Sequence, residues 1–231
     1  MMKHLHRRFL GLSLAALAAP ACYYDAESGP VRPADDYPLP AGNAQLPDWP
    51  DPAARRELLV NPEASTLRLT VSDLVAHTDR PASVPVLGGV LGFSPEGAGQ
   101  LTLDEIQVVL GDVRVPTQAS GDVILTGIRL ESEPGLALPV AWREPGRQGF
   151  LKAPVTLRLE WKVVGDSGRA WPLAEQVLRG ATLYLHVGLD ATGRLRADAL
   201  GIDTGTFWHW DGIYAFKDAV LTLVAREPAI G

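Results

Sequence analysis

Cysteine occurs once in this chain of 231 residues, at Cys22, and methionine only at Met1 and Met2. A single thiol cannot close an internal disulfide, so the fold must be held by a hydrophobic core, for which the length suffices. Thiolate and thioether ligands are likewise missing from the body, and a metal site would have to use imidazole, carboxylate or aromatic groups. No apolar run is long enough to cross a bilayer as a helix; the longest near the start, Phe9 to Ala19, is too short. Basic charge is in deficit: 21 Lys and Arg stand against 27 Asp and Glu, and Lys3, Arg7 and Arg8 precede Cys22. The remaining body is acidic, which disfavours phosphate backbones and anionic headgroups and predicts no nucleic-acid partner. There is no Gly-x-Ser-x-Gly elbow and no cysteine-histidine pair. Leu87-Gly88-Gly89-Val90 lacks the lysine and helix start of a phosphate cradle, and Glu131 and Glu133 lie in an exposed-looking turn. The chain is therefore predicted not to be an enzyme.

The amino terminus has a basic start, an apolar middle and the small residues Ala19-Pro20-Ala21, so residues 1–21 read as an export signal. Arg7-Arg8-Phe9-Leu10 faintly resembles a twin-arginine signal, although the pair also serves as an ordinary basic region. A cysteine at the first mature position resembles a bacterial lipoprotein. That resemblance implies a diacylglycerol thioether on Cys22 and a membrane partner through this anchor. It also implies a place in the cell envelope, at the periplasm or outer membrane. The other reading is plain cleavage after Ala-x-Ala, leaving Cys22 a free thiol.

From Tyr23 to Pro52 proline recurs, with glycine and aspartate between and little apolar periodicity. Such a stretch cannot bury enough surface to offset its ordering entropy, so residues 22–64 read as the lipidated cysteine and a linker. Asp51-Pro52 followed by Ala53 to Leu59 would open one short helix. From about Ser65 the apolar pattern takes period two, clearest at Val155-Leu157-Leu159-Trp161-Val163 against Thr156-Arg158-Glu160-Lys162. Similar runs occupy 67–75, 101–115, 123–130, 182–189 and 220–225. Turn signals at Gly88-Gly89, Pro95-Glu96-Gly97, Ser120-Gly121, Pro134-Gly135, Asp166-Ser167-Gly168 and Thr192-Gly193 separate them. A second short helix is predicted at Pro172 to Leu178, stopped by Gly180. The fold class is all-β: an antiparallel β-sandwich of one domain over 65–231, with an extended proline-rich tether.

Aromatic residues make up 7% of the chain, yet they crowd into Phe207-Trp208-His209-Trp210-Asp211-Gly212-Ile213-Tyr214-Ala215-Phe216. Read as one extended strand, Trp208, Trp210, Tyr214 and Phe216 share a face and His209 and Asp211 the other. Such a stripe reads first as core plugging. Its spacing also resembles the tryptophan-rich strand of the MbnP-like, methanobactin-associated copper-binding proteins. The run from Gly97 to Val115, a Gly/Gln turn leading into Leu101 to Leu110 and then Gly111-Asp112-Val113-Arg114, is similar to an earlier strand of that family. The chain differs in placing Ile213 before Tyr214, with the glycine one position earlier, and in lacking paired cysteines.

This resemblance implies an exported β-sandwich that holds copper on histidines, a dihaem partner protein, and a tryptophan, Trp208 or Trp210, oxidised by that partner. It makes His77 the foremost ligand, with His209 and His186 as further candidates. Asp79 and Asp211, each two residues beyond a histidine, would orient the rings. Each histidine has a plainer reading as well. His77 would sit at a solvated turn, His186 would lie on the outer face beside Tyr184 because Leu185 and Val187 flank it, and His209 would point to water. Three functions stay open: a lipid-tethered protein that binds or sequesters copper, a metal-free envelope lipoprotein that acts as a structural module or presents a surface to a protein or glycan, and a remnant that kept the fold and lost the metal site.

Overall fold

The computed structural model describes residues 54–96, 100–117, 121–144, 148–170, 174–210 and 214–229. Strands dominate: β1 (Arg56–Val60), β2 (Thr66–Asp73), β3 (Thr78–Glu96), β4 (Gln100–Leu110), β5 (Val113–Pro116), β6 (Asp122–Ser132), β7 (Leu138–Pro139), β8 (Ala141–Glu144), β9 (Gln148–Val164), β10 (Ala174–Leu189), β11 (Leu195–Trp210) and β12 (Tyr214–Arg226). One 3-10 turn, Pro62–Ala64, stands between β1 and β2, capped by Asn61 through Glu63 N. Among the described residues no helix is long and apolar enough to cross a membrane.

Every strand pairing is antiparallel, giving the all-β sandwich that the period-two pattern predicts. Its two layers are one continuous sheet. The order β3-β2-β12-β11-β10-β9-β6-β4 returns to its start because β4 also pairs with β3. Several walls are broken strands: β1 continues the line of β2 between β3 and β12, and β5 continues β4 against β6 without change of register. Closure removes most free edges of an open sandwich, although among the described residues β10 and β11 pair only over 183–189 and 195–201, and a seam opens between β3 and β5. There β3 over 78–85 has no ladder to β5 among the described residues, and Gly111 N donates the last bond, to Pro85 O at 2.7 Å. Pro81 and Pro85 on β3 and Pro116 on β5 cannot donate to such a ladder.

The interior is apolar along its length, with Leu58, Phe93, Leu103, Leu125, Trp161, Val187 and Leu195 all buried. Charged residues such as Lys152, Arg158, Glu160 and Lys162 alternate with buried ones along β9 and keep partial exposure. This is the reverse of a lipid-facing barrel, whose outer band is apolar. Thr156 departs from the alternation: it is 4% exposed and donates to Glu133 Oε1 at 2.7 Å.

Three local expectations change. The helix predicted over 53–59 is strand β1, whose Leu58 and Val60 are buried while Leu59 stays half exposed. The folded body therefore reaches back into the stretch read as linker. The helix predicted from Pro172 is overridden from Ala174 onward by β10, which pairs along β9. In both places ladder bonds and burial outweigh a helix preference of a few tenths of a kcal/mol per residue. Gly88-Gly89 is not a turn but a bulge inside β3, where the register slips between Val86 and Gly88.

Antiparallel connection sorts the loops to two ends. The chain enters at Ala54 and leaves after Arg226 at the end that carries the β3–β4, β8–β9 and β10–β11 connections. The β2–β3, β5–β6, β9–β10 and β11–β12 connections lie at the other, here called the distal end.

Candidate functional site

At the distal end the β2–β3 turn is built by Asp73, which is buried and whose Oδ1 accepts from Val75 N at 3.1 Å and Ala76 N at 2.9 Å. Such a turn lets aspartate satisfy the amides that leave the ladder. His77 closes it at φ +52, in the left-handed region that histidine enters more readily than most side chains, and stays exposed. Leu74 and Val75 project from the same turn, Val75 being 62% exposed.

Asp79 is not free to orient His77. Its carboxylate accepts from Ser72 Oγ at 2.6 Å and from Lys217 Nζ at 2.9 Å. The Ser72 hydrogen bond first, and the Lys217 ammonium second, hold it below the usual carboxylate range.

The aromatic stretch is two strands of a hairpin rather than one. β11 ends at Trp210 and β12 begins at Tyr214, with Trp208 opposite Phe216, His209 opposite Ala215 and Trp210 opposite Tyr214. Registers slip at Asp203/Thr206 and Thr206/Trp208 in β11 and between Lys217 and Val220 in β12, where Asp218 takes φ +54. Irregular pairing thus sets the aromatic end apart from the regular sheet below it. The side chains of Trp208, His209 and Trp210, and the whole of Asp211, lie outside what the structure describes. Tyr214 is fully buried, and its hydroxyl lies 2.7 Å from Thr117 Oγ1, joining β12 to the β5–β6 connection.

The ladders align these parts in rows. His209, Ala215, Ser72 and Asp79 form one row across β11, β12, β2 and β3, and Trp210, Tyr214, Asp73 and Thr78 form the next. The His77 turn and the aromatic hairpin are therefore neighbouring strand connections at one end. Three strand spacings, about 14 Å, separate β11 from β3 in the sheet.

His186 stands elsewhere. It pairs with Phe150 and Asp198 near the β10–β11 turn, and its ring stacks on Phe150 with centroids 4.9 Å apart. From Asp198 to His209, β11 runs roughly 35 Å at about 3.3 Å per residue. His186 therefore does not join His77 and His209. Its place on the outer face follows from the burial of Leu185 and Val187. Its Nε2 is buried without a hydrogen-bond partner among the described residues. Asp198 instead accepts from Arg226 at 3.1 Å.

Among the described residues no three His, Cys, Asp or Glu side chains gather as metal ligands. His77 is the only imidazole of the distal end that is described; Asp73 is engaged by its own turn and Asp79 by Ser72 and Lys217. The described residues alone therefore do not make up a copper site, and His209 and Asp211 are the donors such a site would still need. Asp73, Thr117 and the buried Tyr214 hydroxyl emerge only from the structure. An aspartate two and three residues before the turn amides was the one signal in the sequence for any of them. No protein-family model, no curated protein and no solved structure matches this chain.

Proposed function

We propose that this protein is an exported, lipid-tethered β-sandwich whose distal end is its working end and takes copper on the imidazoles of His77 and His209. The observation that carries this reading is the register of β11, β12, β2 and β3, which sets the His77 turn beside the aromatic hairpin and leaves His186 at the far end. Imidazole suits copper in either common oxidation state, and no sulfur ligand is at hand in the body. Under this reading Cys22 carries the anchor, and the distal end faces away from the point where the tether enters.

The test is metal analysis of full-length protein purified from the periplasm or envelope of its producing cell. Roughly one copper per chain is expected, falling to background in His77→Ala and in His209→Ala and unchanged in His186→Ala. A peptide-mass search should find oxidation confined to Trp208 or Trp210. Copper-free protein, or copper that survives both substitutions, would overturn the reading.

One observation favours a second reading, a metal-free module that docks a partner at the same end. Leu74 and Val75 are held out on a turn fixed by a buried aspartate, an arrangement that costs solubility unless something covers it. Retained partner capture by copper-free protein, lost in Val75→Asp, would select it.

A further inference from the structure

A group of exposed apolar side chains among the described residues lies away from the distal end. Leu59 is 50% exposed, Leu87 60% and Val109 48%. They sit together on the outer face of β1, β3 and β4: Leu59 stands opposite Val90, Val109 opposite Gly88, and Leu87 leans toward Gly111. Between them the β3 bulge is bare, since a Cβ on Gly88 would meet nothing within 4 Å. The result is a shallow floor of backbone rimmed by aliphatic side chains. Arg129, opposite Val109, is exposed at its border and makes no ion pair among the described residues.

Where the chain enters bears on what covers this floor. Arg55 does not point away from the body; its guanidinium lies across Gly92 and is held by Glu105 and by Asp104 at 3.5 Å. The Arg55 side chain thus lies on the outer face of β3, in line with the bulge. From Gly92 to Gly88 is about 13 Å of strand, and from Arg55 back to Trp49 an extended chain reaches about 20 Å. The chain before Ala54 has suitable chemistry: Leu46-Pro47-Asp48-Trp49-Pro50-Asp51 alternates large apolar groups with carboxylates. Between Cys22 and Ala53, Asp25, Glu27, Asp35, Asp36, Asp48 and Asp51 stand against Arg32 alone.

We propose that the segment Leu46 to Asp51 docks on this face, with Leu46 and Trp49 on Leu59, Leu87 and Val109 and an aspartate turned to Arg129. A covalently attached segment acts at high effective concentration, which favours it over a second copy of the chain. Prolines reduce the entropy lost when it settles, and the acidic residues match the unpaired arginine. The free tether then runs only from Cys22 to Gln45, so docking sets how far the body stands from its anchor. The inference is independent of any metal at the distal end.

The test uses the whole mature chain with Cys22→Ser, carrying Val109→Cys as its only thiol, and reads the rate of maleimide labelling. The reference is the same chain with Val75→Cys in place of Val109→Cys. Labelling at position 109 is expected to be about tenfold slower than at 75, and Leu46→Ser with Trp49→Ser should restore the reference rate. Circular dichroism confirms that each variant keeps its strands. Equal rates at the two positions would overturn the proposal, as would slow labelling that the double substitution leaves unchanged. Protection that vanishes on dilution would also overturn it, in favour of a second copy as the occupant.

Discussion

Gly89 shows how one residue fixes a change of partner. At φ +157 its backbone lies where side chains rarely go, and a Cβ there would overlap the Gln107 carbonyl and press on Val108 Cα at 2.8 Å. Gly88, at φ +151, faces open space. Gly89→Ala should therefore lower stability by about 2 kcal/mol or more and Gly88→Ala by about 1, measured by urea unfolding. Equal losses would mean that backbone strain alone, not contact with β4, sets the requirement. Asp190 is a second such residue. Its carboxylate accepts from the Thr192 hydroxyl and amide and from the Arg194 amide, which hold its pKa at about 2. That is below the unfolded value of about 3.9, so its contribution is complete above that value and fades as pH falls toward 2. Protection of the Thr192 and Arg194 amides, taken relative to their intrinsic exchange rate at each pH, should fall over that acid range. In Asp190→Asn the acid dependence should disappear, and a dependence that persists would place the titration elsewhere.

At the scale of elements, the strands with a dominant period-two pattern were legible in the sequence: β9, β6 and the second half of β10 follow the run of buried and exposed residues. β1 and the start of β10 were not, because Ala-Arg-Arg-Glu-Leu-Leu and Ala-Glu-Gln-Val-Leu suit a helix locally and become strand only through partners distant in sequence. β3 was unreadable for another reason: Gly88-Gly89 reads as a turn, whereas the structure uses it as a bulge inside the strand. The candidate site divides in the same way. His77 at a turn and His186 on an outer face follow from neighbouring residues, but their separation depends on register, which no local pattern states. Glu227 is a further case of long-range assembly. It accepts from Arg56 Nε at 2.8 Å and Leu195 N at 2.9 Å, joining β1 and β11 just beyond the end of β12. Its side chain is 19% exposed and that of Arg56 14%. Glu227→Ala should cost about 2 kcal/mol and Glu227→Gln less, since the amide oxygen still accepts one bond. A loss below a few tenths of a kcal/mol would show that these strand ends hold without the carboxylate.

At the scale of the whole molecule, ring closure makes each wall depend on its neighbours, and the broken wall formed by β1 and β2 is the most exposed to that dependence. β1 spans only Arg56–Val60 yet pairs with β3 on one side and β12 on the other. It also carries Leu58 and Val60 into the core at 0% and 5% exposure. A chain starting at Ala54 retains these contacts and should unfold in a single cooperative transition, with fluorescence and circular dichroism coinciding. A chain starting at Asn61 loses two buried aliphatic side chains, at about 1.5–3 kcal/mol each, and bares β3 over 90–93. Against a total of about 5–15 kcal/mol for a domain, that loss should bring the chain close to unfolding or make it associate through the bared edge. Urea midpoints and sedimentation of the two chains decide the matter. Equal stability and equal size would show that β1 is an attachment rather than part of the wall, and the domain would then begin at Thr66.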